Sequence, residues 1–309
     1  MSSRWGPMSS QARNSEHRAG FVNIIGNPNV GKSTLMNALV GEKLSIVTAK
    51  AQTTRHRIMG IVNTDDYQIV YSDTPGMLKP NYRLQEDMMK FVDAAIGDAD
   101  IILYVTDVVE KSDKNVEYIQ KLQKLECPVV VVINKIDISD QAKVMELIHY
   151  WQETLPEAVI IPVSARERFN LESVLDAIVS KLPVSPPWFD KDQFTDRNLR
   201  FFASEIIREK ILENYSQEIP YSCEVGIETF KEGKDRYEIS AVIYVMRDTQ
   251  KGIIIGKGGA KLKGIGKAAR LEIEELLGCK VFLSMFVKVK EGWRDSERTI
   301  RNWGYKDEQ

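Results

Sequence analysis

Eight consecutive residues constrain this chain more than any other feature. Gly26-Asn27-Pro28-Asn29-Val30-Gly31-Lys32-Ser33 is an uninterrupted G-x-x-x-x-G-K-[ST] run, preceded by the apolar stretch 21–25 and followed by a helical pattern from Thr34. Phosphate oxygens need backbone N–H groups converging on them without intervening side chains, beside a helix N-terminus and one mobile cation. The backbone from Asn27 through Gly31, the helix opening at Thr34 and the Lys32 ammonium supply these, with Asn29 and Val30 shaping the loop. Ser33 is then placed to put its hydroxyl on Mg2+.

The loop stands at the head of a regular alternation. Short β-branched runs at 21–25, 68–72, 101–106, 129–133 and 158–162 read as strands, separated by helical patterns. Near-continuous apolar runs suit strands buried on both faces, so the expected fold class is α/β, a doubly wound and mostly parallel sheet. The run Pro183-Val184-Ser185-Pro186-Pro187-Trp188-Phe189 ends the alternation and favours an extended, stiff linker. Beyond it, helix 198–215, strands 223–230 and 237–245, a short helix before the glycines, helix 262–277 and strand 280–289 give the order α-β-β-α-α-β of a smaller α+β domain. The expected division is a disordered tail or non-native leader at 1–18, a first domain at 19–182, a linker at 183–195 and a second domain with its tail at 196–309.

Ligands of open α/β sheets bind at strand ends, and three polar tetrads or pairs fall there. Asp73-Thr74-Pro75-Gly76 follows 68–72; Asp73 is placed to hold Mg2+ through water, and the Gly76 N–H can approach a γ-phosphate because no Cβ intervenes. Asn134-Lys135-Ile136-Asp137 follows 129–133. The Asp137 carboxylate can accept the N1–H and 2-amino protons of guanine, a pair of donors adenine lacks, so the pairing selects guanine. Ser164-Ala165 follows the last strand, where a backbone N–H can meet the guanine 6-oxo group.

Composition excludes several classes. With 28% charged and 43% hydrophobic residues over 309 positions, the chain is an ordinary globular one, and its three separated cysteines show neither a disulfide framework nor a zinc site. That cysteine pattern points to a reducing cytoplasm as the expected location, and no apolar run reaches the ~18 to 20 residues of a membrane span, so the chain is not expected to cross a membrane. Net charge is only −2, yet residues 247–270 carry seven Lys and Arg against Asp248 alone. That cluster holds Gly256-Lys257-Gly258-Gly259, a G-x-x-G turn between helices, with Lys261 and Lys263 just after it. Such a turn lets backbone approach a nucleic-acid backbone while the lysines meet phosphates, the device by which KH domains clamp about four nucleotides of single strand. His17, His56 and His149 show no ligand spacing and read as solvated or structural.

The four first-domain motifs together resemble the translation-factor-related class of P-loop GTPases. The resemblance makes Gln52-Thr53-Thr54-Arg55-His56-Arg57 the first switch segment, a polar and core-free stretch whose threonine closes on Mg2+ and the γ-phosphate; Thr54 aligns best and Thr53 is the alternative. Lys32, Thr54 and Gly76 are then the catalytic groups, and Ser33, Thr54 and Asp73 the Mg2+ set. Met77 stands where Ras-like GTPases carry a water-orienting glutamine, so intrinsic hydrolysis is expected to be slow. Asn29 stands where potassium-activated relatives carry a coordinating asparagine; K+ binding and simple stabilisation of the loop turn are both open.

A GTPase domain of this kind joined through prolines to a KH domain resembles the Era GTPases. That resemblance implies GTP/GDP and Mg2+ as ligands, a type II KH domain, and single-stranded RNA as partner. It further implies the small ribosomal subunit and its RNA near the 3′ end, a role in ribosome assembly, and peripheral association with the inner face of the membrane. A different class stays open beside it, an RNA-binding scaffold in which nucleotide is structural and hydrolysis incidental. A third is a GTPase docking protein or lipid through its basic patch.

Overall fold

The computed structural model of the protein describes residues 16–110 and 116–305. The first domain is built on β1 (Arg18–Gly26), β2 (Ile58–Asn63), β3 (Tyr67–Asp73), β4 (Ile101–Asp107), β5 (Val129–Asn134) and β6 (Val159–Pro162), in the spatial order β2-β3-β1-β4-β5-β6. Every neighbouring pair is parallel except β2 with β3. The reason is visible in β4 (IILYVTD) and β5 (VVVVIN), in which every residue is buried, so both faces must be covered by crossovers. Helices α1 (Lys32–Val40), α2 (Arg83–Gly97), α3 (Val116–Leu122), α4 (Gln141–Thr154) and α5 (Leu171–Lys181) cover them, giving one apolar cluster per face.

The sequence reading has five strands here, and β2 is the one it lacks. Its run Ile58-Met59-Gly60-Ile61-Val62-Asn63 is short, interrupted by glycine and continuous with polar residues, and it pairs antiparallel at the sheet edge. Arg18, assigned to the tail, instead opens β1 and bridges to Val184; residues 1–15 and 306–309 lie outside the described residues. The linker 183–195 is bonded to the first domain. Gln68 accepts the Trp188 and Phe189 N–H groups at 2.7 and 3.0 Å, Phe194 accepts the Ile61 N–H at 2.9 Å, and Thr195 bridges to Gly60, so the stretch is strapped along the first sheet.

The second domain begins with α6 (Leu199–Asn214), capped where the Asn198 side chain accepts the Phe201 N–H at 2.9 Å. After the single turn α7 (Ile219–Ser222) come β7 (Cys223–Glu232), β8 (Arg236–Val245), α8 (Asp248–Ile255), α9 (Ala260–Leu277), β9 (Lys280–Val289) and α10 (Glu297–Asn302). The sheet order is β7-β8-β9, with β8 and β9 parallel. Ile239, Ala241, Ile243 and Val245 alternate along β8 and point into one core under α6 and α9. This is the expected smaller α+β domain with the order α-β-β-α-α-β. The chain then turns back: Trp293, Ile300 and Tyr305 are buried in the cluster that holds Phe91 and Val92 of α2 in the first domain.

Candidate nucleotide and RNA sites

The phosphate loop joins β1 to α1 and turns on two left-handed residues, Asn29 at φ 66° and Gly31 at φ 95°. A Cβ on Gly31 would lie 2.3 Å from Asn134 Nδ2, and one on Gly76 would lie 2.7 Å from the Pro28 backbone, so both positions admit only glycine. Lys32 Nζ donates to the Asn27 carbonyl at 2.8 Å. Burial pulls its ammonium down to about 8, although the carboxylates of Asp73 and Glu110 pull the other way. A buried cation with few partners is poised to gain from an arriving phosphate.

Beside it, Ser33 Oγ donates to Asp73 Oδ2 at 2.6 Å and lies 2.8 Å from Thr54 Oγ1, which is itself 3.2 Å from the same carboxylate oxygen. Burial raises the Asp73 carboxyl, opposed by Ser33 and then Lys32. Asp73 Oδ1 is buried and makes no hydrogen bond of good geometry. One carboxylate and two hydroxyls, all hard oxygens meeting at one point, fit a Mg2+ that keeps waters and takes its remaining ligands from phosphates. Thr53 Oγ1 turns the other way, to Thr48 Oγ1 and the Lys50 carbonyl at 2.6 Å each, so of the two threonines it is Thr54 whose hydroxyl meets Ser33 and Asp73.

A cavity of about 610 Å3 runs from this point to the end of β5. Asn29, Gly31, Lys32, Ser33, Thr34, Thr54, Gly76, Asn134, Lys135 and Asp137 line it, a volume suited to a mononucleotide. At its far end Asn134 donates to the Val30 carbonyl at 2.9 Å and accepts the Ala165 N–H at 3.0 Å, while Asp137 accepts the Ser164 hydroxyl at 2.6 Å. Val30, Asp73, Ser164 and Ala165 thus support the wall from behind. Asn27 also stands behind it, with its amide turned to Glu110 at 2.8 Å. Sequence reading missed Asp107, whose carboxylate holds Lys135 Nζ at 2.5 Å; its place at the end of β4 is the signal that could have found it.

One expectation stands and one changes. Met77 is buried in the apolar cluster and its N–H closes on the Gly26 carbonyl at 3.0 Å, so its side chain belongs to the core. The first switch segment, expected to be core-free, is buried from Thr53 through Arg57. The second domain covers it. Arg55 donates to Glu224 Oε2 and the Cys223 carbonyl, each at 2.8 Å, and to the Pro220 carbonyl at 2.9 Å, while Arg208 donates to the Thr53 carbonyl. His56 stacks on Tyr305 with centroids 4.1 Å apart, and burial holds its pKa near 4, so the ring is neutral and structural.

In the second domain Gly256 ends α8 at φ 71°, and a single turn over Lys257–Gly259 leads into α9, with Gly258 and Gly259 at φ 60° and 79°. Nothing lies within 4 Å of a Cβ built on either of the last two. Lys257, Lys261, Lys263 and Lys267 are exposed around the turn. Open backbone ringed by ammonium groups is what a nucleic-acid strand requires.

Comparison with known proteins agrees with this geometry. Residues 21–135 match the family described as 50S ribosome-binding GTPase, and residues 218–294 match the KH domain. A crystal structure of Era in complex with MgGDPNP and nucleotides 1506–1542 of 16S ribosomal RNA is 40% identical, with a TM-score of 0.90 over 94% of this chain and 99% of that one. The chain belongs to the Era family. A tyrosine-to-alanine variant of Aquifex aeolicus Era bound to GDP·AlF4− is likewise 40% identical, with a TM-score of 0.90 over 93% of this chain and 99% of that one. As an Era-family GTPase the protein hydrolyses GTP to GDP and phosphate with Mg2+, and its second domain is a KH domain.

Proposed function

We propose that this protein is a GTP-driven switch that grips single-stranded RNA near the 3′ end of small-subunit ribosomal RNA during ribosome assembly. The observation that carries the reading is the burial of the first switch segment under the KH domain. The nucleotide that orders Thr54 and the domain that holds the RNA share one interface. The ribosomal RNA fragment held by the similar Era supports the choice of RNA. Asn29 is proposed to coordinate K+ when nucleotide is bound, supplying charge where an arginine finger acts elsewhere. The proposed location is cytoplasmic with peripheral association at the inner face of the membrane, to be checked by vesicle flotation.

Multiple-turnover GTPase assays with and without a small-subunit 3′ RNA fragment, in K+ and in Na+ at matched ionic strength, test this reading. RNA and K+ should each raise turnover. Met77, buried in the core, favours the scaffold as second reading, and turnover indifferent to RNA would select it.

A further inference from the structure

We infer that Tyr305, Glu224 and Arg55 form a positioning relay through which the KH domain holds Thr54 at the Mg2+ site. The inference rests on the reading of Thr54 as a Mg2+ ligand in the GTP state. Its basis is the way consecutive residues face opposite directions. Thr54 turns its hydroxyl to Ser33 and Asp73, whereas Arg55 turns into the second domain and is completely buried there. Adjacent residues share a planar peptide unit, so fixing the direction of one side chain constrains the direction of the next.

Arg55 is held as a fork. One nitrogen reaches Glu224 Oε2 and the Cys223 carbonyl, and the other reaches the Pro220 carbonyl, all within 2.9 Å. A planar guanidinium bound at three acceptors has little freedom to rotate. Glu224 Oε2 is shared, because Tyr305 donates its hydroxyl to the same oxygen at 2.5 Å. The Tyr305 ring then lies on His56, so the last described residue of the chain touches the switch twice, once through Glu224 and once by stacking. The acceptors of the fork come from the start of β7 and the turn before it, and Tyr305 comes from the end of the segment that follows β9. The relay therefore exists only while the KH domain and its C-terminal segment sit against the switch. Displacement of the KH domain would remove all three acceptors of Arg55 and with them the anchor beside Thr54, whereas displacement of the C-terminal segment alone would take the Tyr305 hydroxyl from Glu224 Oε2 and loosen the fork.

Tyr305→Phe tests the relay, since it keeps the ring on His56 and removes only the hydroxyl from Glu224. The readouts are kcat, KM for GTP, the Mg2+ concentration for half-maximal turnover, GDP affinity in chelator and melting temperature, each measured beside Thr54→Ala in the full chain. Tyr305→Phe should raise the Mg2+ requirement at least roughly fivefold and lower kcat, with GDP affinity in chelator unchanged. Thr54→Ala should show the same Mg2+ signature, and adding Tyr305→Phe to it should change the requirement no further. If Thr54→Ala leaves the Mg2+ requirement untouched, the reading of Thr54 fails. If Thr54→Ala raises it and Tyr305→Phe does not, whether or not Tyr305→Phe lowers the melting temperature, the relay is overturned. Glu224→Gln, of equal size, carries the same expectation and the same refutation should Tyr305→Phe not fold.

Discussion

Raising the pH should loosen nucleotide while tightening the nucleotide-free fold, because both effects run through Lys32. Burial lowers its ammonium from 10.5 to about 8. Bound phosphate requires the charged form, so affinity follows the charged fraction of the free protein. That fraction is about nine in ten at pH 7 and about one in four at pH 8.5. GDP affinity should therefore fall about fourfold over this interval, about 0.8 kcal/mol. Stability moves the other way. In the unfolded chain Lys32 keeps its proton up to about 10.5, whereas the folded chain releases it above about 8, so the unfolded state binds more protons between these values. Unfolding free energy then rises with pH through that window, by up to about 3 kcal/mol once both values are passed. The assay is fluorescent GDP titration at pH 7.0 and 8.5 at constant ionic strength, with urea unfolding of the nucleotide-free protein and of Lys32→Met from pH 8 to 9.5. Flat affinity, or a Lys32→Met unfolding profile parallel to that of the unsubstituted chain, would refute the reasoning.

Asp137→Asn should weaken GTP and improve the relative binding of xanthosine triphosphate, whose 2-oxo group accepts where guanine donates; an unchanged base preference in competition binding removes Asp137 from the base site. Gly76→Ala brings a Cβ to 2.7 Å from the Pro28 backbone, which must move, so hydrolysis should fall by at least an order of magnitude and unfolding free energy by about 1 to 3 kcal/mol. Full activity in that variant would show that the two loops are not in contact during turnover. Gly256→Asp places bulk and negative charge where phosphate must sit, with its Cβ 2.7 Å from Lys261 Cγ, and should abolish RNA binding. Lys257→Ala should lower affinity mildly and reduce its salt dependence by about one ion, and equal losses in the two variants would contradict the close-approach argument.

The first domain was legible because its signals are local. A phosphate loop carries its own strand, turn and helix within a few residues, and buried parallel strands such as 129–133 are apolar throughout. Edge strand β2 was not, since its apolar run is broken at Gly60, where a Cβ would lie 2.8 Å from Val40 and 2.9 Å from Leu44, a close approach that only the fold reveals. Burial of the first switch segment was illegible for a different reason. Arg55 and Arg57 read as solvated until Glu224 and Asp98 are brought beside them, and Glu224 lies 169 residues away in sequence. No periodicity announces a buried ion pair whose two halves belong to different domains. The choice between Thr53 and Thr54 likewise needed three dimensions, because it turns on which hydroxyl meets Ser33.

The most direct test of a nucleotide-driven grip on RNA is titration of labelled single-stranded small-subunit 3′ RNA against the protein loaded with GDP or with a non-hydrolysable GTP analogue. Arg55, Arg208 and Tyr305 tie the switch to the KH domain, so the GTP-like form should bind RNA more tightly, with coupling of about 1 to 3 kcal/mol, or about 5- to 150-fold. Reciprocally, saturating RNA should raise affinity for the analogue by the same factor. Indistinguishable RNA affinities in the two nucleotide states would contradict the switch and leave a GTPase whose two domains bind their ligands independently.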